Sequence, residues 1–241
     1  MTSSIERFKQ QLADSQKIVF FGGAGVSTES GIPDFRSSEG LYVRETGYQV
    51  SPEELISHTF YKRYPEAFFN YYFENLVFEA AEPNDAHLFL KELEDQGKQV
   101  SVVTQNIDGL HQKAGSSVVH ELHGTTLNNY CETCQKNYTT SELELDDKGI
   151  PRCSLDGGIV RPDIVLYEEG LNQNTMEQAI KDITEADMLI IAGTSLIVYP
   201  AAGLIHYFGG DHLVAINKTP LSVPNNTLVF EDMISNIFKQ L

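Results

Sequence analysis

Ile18-Val19-Phe20-Phe21-Gly22-Gly23-Ala24-Gly25-Val26-Ser27-Thr28-Glu29-Ser30-Gly31-Ile32-Pro33-Asp34-Phe35-Arg36 joins a short apolar run to a glycine-rich turn. The β-branched and aromatic residues of the run suit a buried strand. Glycines placed directly after a strand let the backbone approach a pyrophosphate, whose charge is favoured by N–H groups at the start of a helix. The turn therefore reads as a nucleotide site. It departs from the fingerprint of hydride-transfer enzymes, because Thr28 stands where the third glycine belongs and Pro33-Asp34-Phe35-Arg36 breaks the expected continuation. A glycine turn alone would fit any tight strand-to-helix connection, so the rest of the chain decides.

Working outward, Val100 to Val103, Met188 to Ala192 and Leu213 to Ile216 are short apolar runs suited to buried parallel strands. Ile5, Phe8 and Leu12 have helical spacing ahead of the first strand. Pro83-Asn84-Asp85 predicts a helix start, with Leu88, Leu90 and Leu93 as its apolar face and Gly97 at its end. Between Gly40 and Glu82 the pattern is helical and aromatic (Phe60, Tyr61, Tyr64, Phe68, Phe69, Tyr71, Tyr72, Phe73), a stripe that reads as core. Strands separated by helical stretches predict an α/β fold with a doubly wound parallel sheet. Gly23, Gln105, Gly193 and Asn217 each follow one of these strands, and ligands of open α/β sheets bind at the carboxyl ends of strands.

The 241 residues are 41% hydrophobic and can bury a sizeable core. A formal net charge of −17 argues against non-specific binding to nucleic acid or an anionic membrane and is compatible with basic, lysine-bearing partners. No apolar run reaches the length of a membrane span and the N-terminus lacks a secretion-type pattern, so a cytoplasmic protein is expected. The three cysteines argue for reduced thiols or metal ligands. Two of them form Cys131-x-x-Cys134, followed after 18 residues by Cys153-x-x-Asp156. Zinc accepts carboxylate oxygen, so a Cys3Asp site is possible, held less firmly than four thiolates would hold it.

Three further segments accompany the glycine turn: Thr104-Gln105-Asn106-Ile107-Asp108-Gly109-Leu110-His111, Glu121-Leu122-His123-Gly124, and Gly193-Thr194-Ser195-Leu196-Ile197-Val198-Tyr199-Pro200-Ala201. In this order, with the cysteine pairs between the second and third, they closely resemble the sirtuins, NAD-dependent protein lysine deacylases. The resemblance runs from about Lys17 to the C-terminus. It implies a Rossmann-like NAD-binding domain from residues 1–36, 83–123 and 161–241. Residues 37–82 and 124–160 would form a smaller domain, a helical insertion plus a zinc-ribbon-like module, with the substrate cleft between the two domains.

The same resemblance implies the chemistry. An acyl-lysine carbonyl oxygen attacks the nicotinamide ribose, nicotinamide leaves, and an alkylamidate forms. His123 then takes a proton from a ribose hydroxyl, and the products are free lysine and O-acyl-ADP-ribose. Asn106 and Asp108 join His123 as catalytic residues, with Asp108 suited to the nicotinamide carboxamide. Gly23, Ala24, Gly25, Thr28, Gln105, Ile107, Gly193, Thr194, Ser195, Asn217 and Asp232 complete the cofactor site, with Phe35 shielding the reactive face and Arg36 donating to phosphate or ribose. Asp232 could equally be a helix cap; singly, Asp108 also fits a helix cap, Phe35 a core aromatic and Arg36 a surface ion-pair member, but jointly these readings leave the motif order unexplained. Arg161 to Tyr167 resembles the segment that pairs with an extended substrate peptide, with Val165 and Tyr167 lining its groove. Acetyl-lysine-bearing proteins are the implied partners, and zinc, if retained, is structural.

Sirtuins that prefer acidic acyl groups share a Tyr-x-x-Arg pair in the helical insertion, and the corresponding positions here are Tyr71 and Glu74. A glutamate there repels an acidic acyl group, so uncharged groups are expected. Two other readings remain open: a mono-ADP-ribosyltransferase on the same fold, and a nucleotide-binding sensor without turnover.

Overall fold

The computed structural model describes residues 3–34 and 50–241. Helix α1 (Ser4–Asp14), capped by the Ser3 hydroxyl, leads into strand β1 (Lys17–Gly22). Three helices follow: α2 (Pro52–Leu55), α3 (His58–Arg63) and α4 (Pro65–Asn75). Then come α5 (Asp85–Asp95), β2 (Gln99–Thr104), the short α6 (Leu110–Lys113) and β3 (Val118–Glu121). A run of smaller strands comprises β4 (Gly124–Cys131), β5 (Asn137–Thr139), β6 (Glu144–Leu145), β7 (Pro151–Arg152) and β8 (Val160–Ile164). The chain closes with α7 (Gln173–Glu185), β9 (Met188–Ala192), β10 (His212–Ile216), β11 (Leu228–Phe230) and α8 (Ile234–Phe238).

Six strands form one parallel sheet in the order β11-β10-β9-β1-β2-β3. The chain winds from β1 toward β3 on one side and from β9 toward β11 on the other, so the order reverses between β1 and β9, the crevice where doubly wound sheets hold ligands. Alternation along β1 supplies both faces. Ile18 and Phe20 pack with Phe8, Leu90 and Phe238, from α1, α5 and α8, whereas Val19 and Phe21 pack with Ala179 and Ile183 of α7. Burying a side chain of this size contributes about 1.5–3 kcal/mol, so helices cover both faces of the sheet.

The expected doubly wound sheet is present, with two refinements. The helix after Asn84 buries Ala86, His87, Leu90 and Leu93, while Leu88 is 51% exposed. Its apolar face is thus narrower than the leucine spacing suggests. The glycine turn after β1 opens into two 3-10 turns, Ala24–Val26 and Thr28–Ser30, rather than an α-helix. Glycine is required here on steric grounds. A Cβ at Gly25 would lie 2.8 Å from Gly193 Cα, one at Gly23 would lie 2.8 Å from Thr194 Cβ, and one at Gly193 would lie 2.5 Å from Val26 N. The glycines allow close contact between the turns after β1 and β9, in addition to the approach to a pyrophosphate expected from the sequence.

Residues 124–164 break the parallel pattern. β5-β4-β8 form an antiparallel sheet and β6-β7 a hairpin. The β4–β8 ladder has two parts: Gly124 and Thr125 oppose Ile164 and Asp163, and Asn129 to Cys131 oppose Pro162 to Val160, with a bulge between Thr125 and Asn129. Most of the aromatic stripe is core: Phe60, Tyr61, Phe68, Phe69, Tyr71 and Tyr72 are buried with Leu55, Ile150 and Ile164 and Phe73 is partly buried, whereas Tyr64, between α3 and α4, is exposed, contrary to expectation.

Gly193 has φ +58, so alanine there adds backbone strain to the Val26 collision. Gly193→Ala should lower the unfolding free energy by at least about 2 kcal/mol in urea titration. A loss below about 0.5 kcal/mol would show that the turns can separate freely.

Candidate active site

The polar residues at the ends of β1, β2 and β9 form one network. Ser27 Oγ donates to Asp108 Oδ2 at 2.7 Å and accepts from Asn106 Nδ2 at 3.0 Å. Asp108 Oδ1 accepts from Leu110 N–H at 2.9 Å, an Asx turn leading into α6, while Oδ2 reaches the glycine turn. Gln105 Nε2 donates to Thr194 Oγ1 at 3.0 Å, joining the ends of β2 and β9. Thr28 Oγ1 donates to Gly25 O at 3.1 Å and stiffens the first turn. This set of hydroxyl, carboxamide and carboxylate groups at the switch point offers the donors and acceptors that a ribose and a carboxamide require.

His123 lies beside them. Its Nδ1 is 3.0 Å from Gln105 O. A carbonyl only accepts, so Nδ1 carries the proton and Nε2 keeps the lone pair, the tautomer a general base needs. Burial holds its pKa below the ordinary histidine value, opposed by the Gln105 carbonyl, and keeps the ring neutral at neutral pH. The His123 carbonyl accepts from Val165 N–H at 2.9 Å, fastening the expected peptide segment to the same residue.

The structure therefore brings Gln105, Asn106, Asp108, His123, Gly23, Gly25 and Thr194 together, with Ala24, Ile107, Thr28, Gly193 and exposed Ser195 on the same turns. Asn217 follows β10 and its N–H donates to Phe230 O, while its side chain turns to Thr219. Asp232 is exposed and accepts from Met233 N–H and Asn236 Nδ2 at the start of α8, so its contacts are those of a helix-terminal residue. Phe35 and Arg36 lie outside the described residues. Tyr71 is buried and Glu74 is exposed on α4. Ser27 was missed by the sequence reading, although it stands in the quoted turn two residues after Gly25; its part emerges only when residues 106 and 108 fold onto it.

The cysteines and Asp156 converge in the small module. Cys134 Sγ and Cys153 Sγ are 3.6 Å apart, Cys131 Sγ and Asp156 Oδ1 are 3.4 Å apart, and all four ligand atoms lie within 4.8 Å of one another. A tetrahedron with zinc–sulfur distances of about 2.3 Å has edges of about 3.8 Å, so the donor set fits zinc. Asp156 Oδ1 also accepts from Gly158 N–H at 2.8 Å, which orients the carboxylate.

The sequence profile of the Sir2 family matches residues 23–200. This chain belongs to the Sir2 family. A Clostridium perfringens protein named NAD-dependent protein deacetylase is 52% identical over 239 residues, covering 98% of each chain. A Sir2 bound to acetylated peptide has a TM-score of 0.84 at 33% identity, covering 98% of this chain and 96% of its own. A complex of Sir2 with a peptide and NAD+ has the same TM-score at 34% identity and equal coverage.

Two histidines of this Sir2-family chain are unexpected features of the interior. His87 and His111 are buried, with ring centroids 4.6 Å apart. His87 Nδ1 accepts from Asn84 N–H at 3.2 Å, whereas His87 Nε2 and both nitrogens of His111 find no hydrogen-bond partner among the described residues. Burial lowers the pKa of His87 from 6.5 to about 4, against the pull of the Asp108 carboxylate, and lowers that of His111 as well. With folded values below the unfolded ones, protonation favours unfolding. The His87 contribution is complete above pH 6.5 and is lost as the pH falls toward 4, by about 1.4 kcal/mol per pH unit, and His111 acts with the same sign. Urea titrations across this window should show that decline, with a shallower slope in His87→Asn; parallel slopes would mean that folding leaves the His87 pKa unshifted.

Proposed function

We propose that this chain is an NAD-dependent protein lysine deacetylase that moves the acyl group of a modified lysine to ADP-ribose with release of nicotinamide. The observation that carries this reading is His123: a neutral ring whose Nδ1 proton is held by the carbonyl of Gln105, the residue preceding Asn106, which leaves Nε2 basic. Family membership, and relatives named for this activity at 44–52% identity over nearly the whole chain, support the same conclusion.

NAD supplies the glycosidic bond that is broken and the ribose that receives the acyl group. In this reading His123 Nε2 takes a proton from a ribose hydroxyl, and Asp108 and Asn106 orient the carboxamide end of the nucleotide. Gly23, Ala24, Gly25, Thr28 and Gln105 flank the pyrophosphate and nicotinamide ribose, with Gly193, Thr194 and Ser195 on the facing turn. Asn217 and Asp232 would meet the adenosine. Val165 and Tyr167 receive the acyl-lysine segment, whose carriers would be acetylated proteins. The adjoining units would be those expected from sequence, a nucleotide-binding domain and a smaller substrate-facing one. No helix of the described residues is long and apolar enough to cross a membrane.

Cys131, Cys134, Cys153 and Asp156 would hold a structural zinc that pins the small module and takes no part in proton transfer. One carboxylate in place of a thiolate makes the ion more exchangeable. Asp156→Cys should therefore slow zinc transfer to a chromophoric chelator at least about tenfold; equal transfer rates would remove Asp156 from the ligand set.

The deciding assay incubates the protein with acetyl-lysine peptide, with and without NAD, and follows peptide, nicotinamide and O-acetyl-ADP-ribose by mass spectrometry. All three products should appear together, with His123→Ala slowing them by a factor of about 100 or more. Succinyl-lysine peptide should react more slowly because Glu74 repels it. ADP-ribose attached to protein with the acetyl group intact would indicate a transferase, and NAD binding without products a sensor.

A further inference from the structure

Residues 165–169 are fastened on two sides. Val165 N–H bonds to His123 O on one side. On the other, Tyr167 N–H donates to Ile56 O and His58 N–H donates to Tyr167 O, so the segment before α3 lies parallel to the loop in a short bridge through Ser57. The next two residues close the junction with their side chains. Glu168 Oε2 accepts from Thr59 N–H at 2.9 Å and from the Thr59 hydroxyl at 2.6 Å. Glu169 pairs with His58 Nδ1 at 2.7 Å and, through both oxygens, with buried Arg161 at 2.8 and 3.0 Å.

Glu168 adopts φ +75, a left-handed conformation that glycine takes freely and side chains disfavour. Its carboxylate supplies what glycine could not, two hydrogen bonds across to Thr59. Arg161 already anchors Glu169 from within its own segment, so Glu168 is the side chain here that bonds solely across the junction to α3.

We propose that Glu168 is a positioning residue, whose clasp on Thr59 holds Val165 to Tyr167 in the shape that receives the acyl-lysine segment and so sets peptide affinity without touching the reacting atoms. This rests on the deacetylase reading above. The Thr59 donors also hold the Glu168 carboxyl below the ordinary glutamate range, so the clasp stays charged well into acid.

Steady-state kinetics with acetyl-lysine peptide and NAD varied separately test the clasp. Glu168→Gln keeps an acceptor for Thr59 and should stay within about twofold of wild type in every parameter. Glu168→Gly removes the clasp and relieves the backbone; Glu168→Ala removes the clasp and keeps the disfavoured φ. Both should raise the peptide KM at least about fivefold, leaving kcat and the KM for NAD within about twofold. The glycine variant should unfold at a temperature no lower than the alanine variant. A peptide KM within about twofold of wild type in both would overturn the proposal. So would a joint loss of kcat, NAD affinity and thermal stability, which marks a merely structural residue. If wild type binds the peptide by fluorescence anisotropy but turns nothing over, the deacetylase reading fails, and the same variants then decide the clasp through peptide Kd.

Discussion

Three glycines in mutual contact set the geometry on which the site depends. Gly23 and Gly25 close on Gly193 so tightly that Gly25 N–H bonds to Gly193 O at 2.8 Å, with no room for a Cβ on either side. The contact draws the turns after β1 and β9 together at the reversal point of the sheet. Only then can Gln105 span from β2 to Thr194, and Ser27 stand between Asn106 and Asp108. Side chains from separate parts of the chain become one polar surface because backbone meets backbone beneath them.

The second organising element is the β4–β8 pair. β4 begins immediately after His123 and ends at Cys131; β8 begins at Val160, near Cys153 and Asp156, and ends just before Val165. A general base and the expected peptide segment thus emerge side by side from one ladder, joined by the Val165–His123 hydrogen bond. The cysteine-bearing module lies at the far end. Buried Cys131, Tyr138, Cys153 and Val160 make a core too small to hold that end firmly by apolar burial alone, so an ion with four protein ligands suits the position.

Much of this was legible in the sequence because the central strands are short, apolar and doubly covered. Met188–Ala192 is the run expected, and β1, β2 and β10 extend theirs by one or two residues. β3 and β11 were not read: one has a half-exposed edge pattern, and the apolar run of the other is only three residues long. The motifs named the residues that meet at the switch point but not the bonds among them. Thr194 Oγ1 accepts from Gln105 and Leu196, and the first-turn glycines serve packing, both facts of tertiary contact. His87 and His111 come together only in the fold, where burial rather than local pattern sets their protonation.

The bulge between Thr125 and Asn129 bears on how such a protein can change over generations. Thr126 is held there by its own ties, its N–H and hydroxyl both donating to Ile107 O at 2.9 and 3.0 Å. Register on the His123 side is therefore fixed locally, and lengthening, shortening or altering the hairpins beyond the bulge need not propagate to it. A lineage can explore that module, including exchange of a cysteine for Asp156, while its chemistry stays under selection undisturbed. The bulge is a register stop between the cysteine-bearing hairpins and the His123 end of the ladder.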